Sequence, residues 1–129
     1  MRRVFSTIHQ VFSIITLLGI FFEFYFAGIG VFHAANFQIH RLTGILLLLI
    51  TLLTLLVALI GRVGRERIGF TVLLLVLLFI QPVLLQIHQP FVKALHPVNG
   101  LFVMGVCAYL TLINNQKMGF KVIDDYKRD

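Results

Sequence analysis

Residues 40–61 read HRLTGILLLLITLLTLLVALIG, and Arg41 is the one Asp, Glu, Lys or Arg among them. As an α-helix this run would be roughly 33 Å long, which matches the hydrocarbon core of a bilayer. Backbone amides and carbonyls inside lipid have to be hydrogen-bonded within the chain, and a helix achieves this. The stretch therefore predicts a transmembrane helix.

Three other apolar runs of similar length predict an all-α, polytopic membrane protein with four spans. The predicted spans cover residues 11–32, 40–61, 68–87 and 97–114. They form one bundle over residues 1–114, and a polar cytoplasmic tail follows over 115–129. The short links require neighbouring helices to be antiparallel, in an up-down four-helix bundle. With 59% hydrophobic residues, a soluble enzyme of 129 residues is excluded, because its interior could not bury so much apolar surface.

The cations predict how the bundle lies in the membrane. The formal net charge is +6, and the Lys and Arg residues are concentrated before the first span, between spans two and three, and after the fourth. By the positive-inside rule, both termini are cytoplasmic and the multi-pass chain lies in the plasma membrane. Because these cations flank apolar runs instead of forming a basic surface with stacking aromatics, no nucleic-acid partner is expected.

Four histidines lie at span ends on the predicted outer side, in a repeated pattern. They are His33, His40, His88 and His96. The second histidine of each pair opens a helix and is followed four residues later by a glycine. The repeat predicts two related helix pairs about a pseudo-twofold axis, which would turn His40 and His96 toward each other.

Two inward imidazoles on different helices suit the axial ligation of a haem iron. We therefore expect His40 and His96 to bind haem b. Gly44 and Gly100 lie one turn further along the same helix faces and would give the macrocycle room.

The first histidine of each pair, His33 and His88, would lie at the rim of that site, available for propionates, a substrate or a second metal. Two alternatives stay open. Four histidines could surround zinc, although no carboxylate in the outer links would help them. Histidines at helix ends also often lie at the membrane interface, with the polar tip in water.

Glu23 is the one acidic residue inside a predicted span, about 15 Å deeper than His33 by helical rise. A charged carboxylate at that depth is costly, so it should be protonated, paired or functional. We consider a proton relay toward the outer site or a quinol, and equally a neutral Glu hydrogen-bonded to a neighbouring helix. In the third span, Gln81-Pro82 predicts a bend, because Pro82 cannot donate to the carbonyl of Leu78.

The pattern His40-Arg41-Leu-x-Gly44, with His96 opening the helix two further on, resembles one four-helix half of the haem A synthase family. That family has two such halves, each with histidines on its second and fourth helices that hold or face a haem. The resemblance implies that His40 and His96 are the iron ligands. Residues 33–39 lack the cysteine pair and glutamate that many bacterial members use to oxidise the haem methyl, so only the haem-holding architecture is implied. The His-Arg and His-Pro-x-Asn-Gly motifs are also similar to a family of small bacterial four-helix membrane proteins of unknown function.

These observations favour a b-type cytochrome-like protein that transfers electrons at the outer half of the membrane, with a quinol as candidate donor. As an enzyme it would be a membrane oxidoreductase. The alternatives are a cofactor-free accessory or assembly subunit of a larger membrane complex, such as a respiratory complex, and a haem carrier. A homodimer would restore the eight helices of a haem A synthase-like assembly.

Overall fold

The computed structural model describes the backbone of residues 1–126 and the side chains of residues 1–113. Its helices are α1 (Arg2–Val31), α2 (Gln38–Gly61), α3 (Arg65–Gln86), the one-turn α4 (Pro90–Lys93) and α5 (Leu95–Tyr126). Residues 1–126 contain no strand. The prediction of an all-α fold is confirmed.

Four segments are long and apolar enough to cross a membrane, namely α1, α2, α3 and Pro90–Ile113. Their outward faces carry large apolar side chains such as Leu53, Ile60 and Phe79, which are 51%, 69% and 63% exposed. A continuous apolar exterior of this kind is stable in lipid and not in water. The structure therefore indicates a membrane protein.

The four long helices form a square. α1 packs against α2 and α5, and α3 packs against the same two helices. α1 and α2 form one antiparallel hairpin and α3 and α5 form the other, so the starts of α2 and α5 lie at the same end of the bundle. We call it the histidine end, because His40 and His96 lie there, and we call the opposite end the arginine end. The arginines of that end are Arg2, Arg3, Arg62, Arg65 and Arg67.

At the arginine end, α1 approaches α2 closely because Gly61 has no side chain. A Cβ at Gly61 would overlap the side chain of Phe5. Arg62 ends α2 in the left-handed conformation, with φ of 47°. Its N–H donates to the carbonyl of Leu59 at 3.2 Å, and the N–H of Val63 donates to the carbonyl of Ala58 at 3.1 Å. The Nε of Arg2 donates to the carbonyl of Arg62 at 3.0 Å, which ties the first turn of α1 to the end of α2.

The helices are longer than predicted at two places. α1 begins at Arg2 instead of near residue 11, and α5 runs to Tyr126, past the predicted end at residue 114. Once a helix is formed, each added residue contributes its own hydrogen bond, so polar residues prolong it beyond the apolar run. The predicted tail over 115–129 thus begins as helix, and residues 127–129 lie outside the described part.

The interior of the bundle has three zones along its axis. Polar side chains lie near the histidine end, an apolar layer follows, and a second set of buried polar side chains lies toward the arginine end. The apolar layer is formed by Ile20, Leu47, Leu74, Leu78 and Val103, each at most 9% exposed. The same buried cluster continues along α5 through Cys107, Leu110 and Ile113, beside the second polar set. The second set includes His9, Ser13, Thr16, Thr51, Thr54, Arg67 and Thr71.

Candidate functional site at the histidine end

Glu23 of α1 contacts two side chains in the first turns of α2. Its Oε2 lies 2.6 Å from Nδ1 of His40, and its Oε1 accepts a hydrogen bond from the hydroxyl of Thr43. The side chains of His40 and Glu23 are 22% and 14% exposed, so bulk water screens their contact only in part. Both carboxylate oxygens thus contact polar groups of α2.

Gly44 lies directly beneath this contact. A Cβ at Gly44 would lie 3.8 Å from Oε2 of Glu23, so the small residue leaves space that the carboxylate takes up. We expected Gly44 to give room to a macrocycle. Part of that room is used by the side chain of Glu23.

His96, at the start of α5, is held by the turn of α3 around Pro82. Its Nδ1 lies 3.0 Å from the backbone carbonyl oxygen of Gln81. The amide of Asn99 donates to the carbonyl of Leu77 at 2.9 Å, so α5 has a second polar contact with the same region of α3. α3 continues through Pro82 to Gln86.

The side chain of Gln81 links the two ends of the first turn of α5. With its amide oriented to satisfy its neighbours, the nitrogen donates to the carbonyl of His96 at 3.0 Å and the oxygen accepts from the N–H of Gly100 at 3.1 Å. A Cβ at Gly100 would lie 3.2 Å from the side-chain amide of Gln81 and 3.4 Å from Phe24. The space beside Gly100 is therefore also occupied by side chains of the protein.

The rings of His40 and His96 face each other across the bundle, as the repeated pattern predicts. Their centroids are 6.2 Å apart and the ring planes lie at 81°. The Nδ1 atom of each ring contacts an oxygen, a carboxylate for His40 and a backbone carbonyl for His96. Each of these oxygens can accept from a protonated Nδ1, which would leave the lone pair on Nε2. The contact of His40 with Glu23 is close but is not aligned as a hydrogen bond. The amide nitrogen of Gln81 also lies 3.1 Å from Nδ1 of His96, to which it would donate in the other tautomer. We call Glu23, His40, Thr43, Gln81 and His96 the histidine site.

The other two candidate histidines do not join this site. His33 lies in the turn after α1, with φ of 58°, and His88 lies in the link after α3. Both are exposed. Within the described residues, no group of three or more His, Cys, Asp or Glu side chains is arranged to hold a metal ion. The four histidines therefore do not form the surrounding set that a zinc ion would need.

The sequence analysis missed a buried polar cluster toward the arginine end. Nε2 of His9 lies 3.0 Å from the hydroxyl of Thr71, which itself donates to the carbonyl of Arg67 at 2.7 Å. Because that hydroxyl has one hydrogen, His9 donates through Nε2. Arg67, assigned to a loop from its sequence, is 4% exposed and donates from Nη1 to Ser6. The spacing of His9, Ser13 and Thr16 on one helical face was the available signal.

The profile of one protein family matches the chain, and its description is "Family of unknown function (DUF6220)". The match covers residues 23–88, about half of the chain. The chain belongs to this family. The matched segment of the chain includes four members of the histidine site, Glu23, His40, Thr43 and Gln81, and ends before His96. No curated protein and no solved structure matches the chain, so the likeness to haem A synthase rests on the histidine pattern alone.

Proposed function

We propose that this protein is a haem-binding membrane protein of the b-type cytochrome kind, with His40 and His96 as the two iron ligands. The observation that supports it is the placement of the two imidazoles: Nδ1 of each lies within 3.0 Å of an oxygen, and the ring centroids are 6.2 Å apart. Metal-ligating histidines almost always give their other N–H to a carboxylate or backbone carbonyl in this way.

The ring separation fits one metal ion between the two imidazoles. With each nitrogen about 2 Å from the metal, the two centroids would lie roughly 6 Å apart. A site with only two protein ligands leaves the other positions to a macrocycle, which suits haem better than a bare metal ion. Because Gln81 and Phe24 occupy the space beside Gly100, and Glu23 part of that beside Gly44, a bound macrocycle requires these side chains to move aside. Bound haem would supply reversible one-electron chemistry, and the role of the chain is to hold and orient it.

In this proposal each remaining member of the histidine site has a defined task. Glu23 keeps the proton on Nδ1 of His40, and Thr43 orients the carboxylate through its second oxygen. Gln81 holds His96 with its backbone carbonyl and fixes the first turn of α5 with its side chain. Electron transfer with a quinol at this end of the bundle completes the proposed function.

The test is an absorption spectrum of the detergent-purified protein, oxidised and then reduced with dithionite. We expect a Soret band and sharp reduced α and β bands. His40→Ala and His96→Ala should each remove these bands, whereas the matched variants His33→Ala and His88→Ala should keep them, because both of those side chains are exposed outside the site.

A colourless, folded protein that stays colourless when haem is supplied during expression would refute the cytochrome. It would instead favour the accessory subunit of a larger complex, which should then copurify. Rapid transfer of haem to an apo-acceptor would identify a carrier. The predicted orientation, with the histidine end outside, requires a reporter fused to the C-terminus to behave as a cytoplasmic protein.

A further inference from the structure

A groove at the arginine end lies between the first turn of α1 and the last turn of α2. It is lined by Met1, Arg2, Phe5, Ile60, Gly61 and Arg62. Gly61 forms its base, because the absence of a side chain there lets α1 and α2 approach closely. The groove is independent of the histidine site, which lies at the other end of the bundle.

The lining of the groove is apolar on one side and cationic on the other. Ile60 is 69% exposed and Phe5 is half-buried, so the apolar part belongs to the lipid-facing surface. Arg2 and Arg62 are exposed at the rim. The bond from Nε of Arg2 to the carbonyl of Arg62 holds the first arginine against the turn that carries the second. The two guanidinium groups therefore lie at the helix ends, next to an apolar surface.

The charge around the groove is strongly positive. The arginine end carries five arginines, and Glu66 is the one carboxylate there among residues 1–113. Helix ends of a spanning bundle lie near the phosphate level of the bilayer, where basic side chains attract anionic headgroups. A zwitterionic headgroup carries a cation of its own, which these arginines would repel.

We propose that this groove binds an anionic phospholipid, with the phosphate between Arg2 and Arg62. The part of the acyl chain nearest the headgroup packs against Ile60 and Phe5. Guanidinium groups present planar pairs of donors that match a phosphate group. The apolar side of the groove distinguishes a lipid from a free phosphate ion, which has nothing to place there.

The test is thermal unfolding of the purified full-length protein in detergent, with phosphatidylglycerol or phosphatidylcholine added. We expect phosphatidylglycerol to raise the unfolding temperature more, and the double variant Arg2→Gln/Arg62→Gln to bind it at least tenfold more weakly. Arg41→Gln is the matched control, because it removes an exposed arginine at the histidine end; it should keep the full effect. Ile60→Ser retains both arginines and should also reduce the effect, which keeps the test valid if the double variant does not fold.

Three results would overturn the proposal. The first is a wild type whose unfolding temperature rises equally with the two lipids. The second is a folded double variant that keeps the full preference for phosphatidylglycerol. The third is an Arg41→Gln variant that loses as much of this preference as the double variant does. Inorganic phosphate is tested in the same way, and an unfolding temperature raised as much as with phosphatidylglycerol would show that no lipid is needed. None of these outcomes depends on haem.

Discussion

Replacing Glu23 tests whether the partner of Nδ1 determines how well His40 holds an iron atom. In Glu23→Leu the imidazole loses an oxygen at 2.6 Å, and the hydroxyl of Thr43 loses its interhelical acceptor but still bonds to the carbonyl of Ile39 at 2.9 Å. α2 therefore keeps its backbone and its threonine bond, and the change is concentrated on His40.

The expected size of the effect follows from that geometry. Loss of such a partner lowers metal affinity about 10–100-fold, which corresponds to about 1.4–2.7 kcal/mol. We expect Glu23→Leu at the upper end, because the carboxylate is 14% exposed and water replaces it poorly. In Glu23→Gln the amide oxygen can still accept from Nδ1 and the amide nitrogen can donate to Thr43. That variant should bind haem only about 10-fold more weakly.

The assay is a haem titration of the apoprotein followed at the Soret band. Circular dichroism and size-exclusion elution show whether each variant is folded. Glu66→Gln is the matched control: this carboxylate lies at the arginine end, accepts from the hydroxyl of Tyr109 at 3.3 Å, and should leave haem affinity unchanged. A folded Glu23→Leu that binds haem as tightly as the wild type would refute the role of Glu23. A wild type that binds no haem would instead refute the proposed function.

Two further predictions concern packing and are measured by unfolding in detergent. Gly61→Ala should lower the free energy of unfolding by about 1–3 kcal/mol, because its Cβ overlaps the side chain of Phe5 in α1. Gly69→Ala is the control: a Cβ there has nothing within 4 Å, so the change should be neutral or slightly stabilising. Equal effects of the two variants would contradict the close approach of α1 to Gly61. Thr71→Val should lower the free energy of unfolding by about 1–3 kcal/mol, because it removes the hydroxyl that accepts a hydrogen bond from the buried His9. Thr51→Val, equally buried but bonded to its own helix, should cost less.

The fold was predictable because lipid leaves few choices. Apolar runs such as residues 40–61 have to be helices, and short links have to make them antiparallel. The ends of the helices were less predictable. The extension of α5 to Tyr126 depends on backbone hydrogen bonds that continue outside the apolar run, and hydropathy does not report those.

The histidine site was predictable in part. The repeat of His40 and His96, each with a glycine four residues later, indicated two equivalent helix starts, and the structure brings the two rings together. The partners of these rings were not predictable. Whether Glu23 meets α2 or another helix depends on the rotation of α1 about its axis, and several rotations are compatible with a helix that is apolar on most sides. Arg67 was assigned to the link between two spans for a related reason. The sequence next to a loop does not show whether an arginine side chain turns into the bundle or toward water.

The apolar layer leads to a last prediction, about protons. Ile20, Leu47, Leu74, Leu78 and Val103 separate the histidine site from the buried polar cluster around His9. A proton crossing this layer would have no polar group to accept it, and a charge in such surroundings is costly. We therefore expect the histidine site to exchange protons only with the aqueous phase at the histidine end.

Vesicles that contain the protein and an internal pH-sensitive dye test this expectation. After an acid pulse, the wild type should leak protons no faster than protein-free vesicles. The double variant Leu47→Asn/Leu74→Asn places amides in two helices of the layer and should leak faster, while Leu53→Asn, on the lipid-facing surface, is the matched control and should not. A wild type that leaks as fast as the double variant would mean that water already crosses the layer. Glu23 would then be accessible from both ends of the bundle.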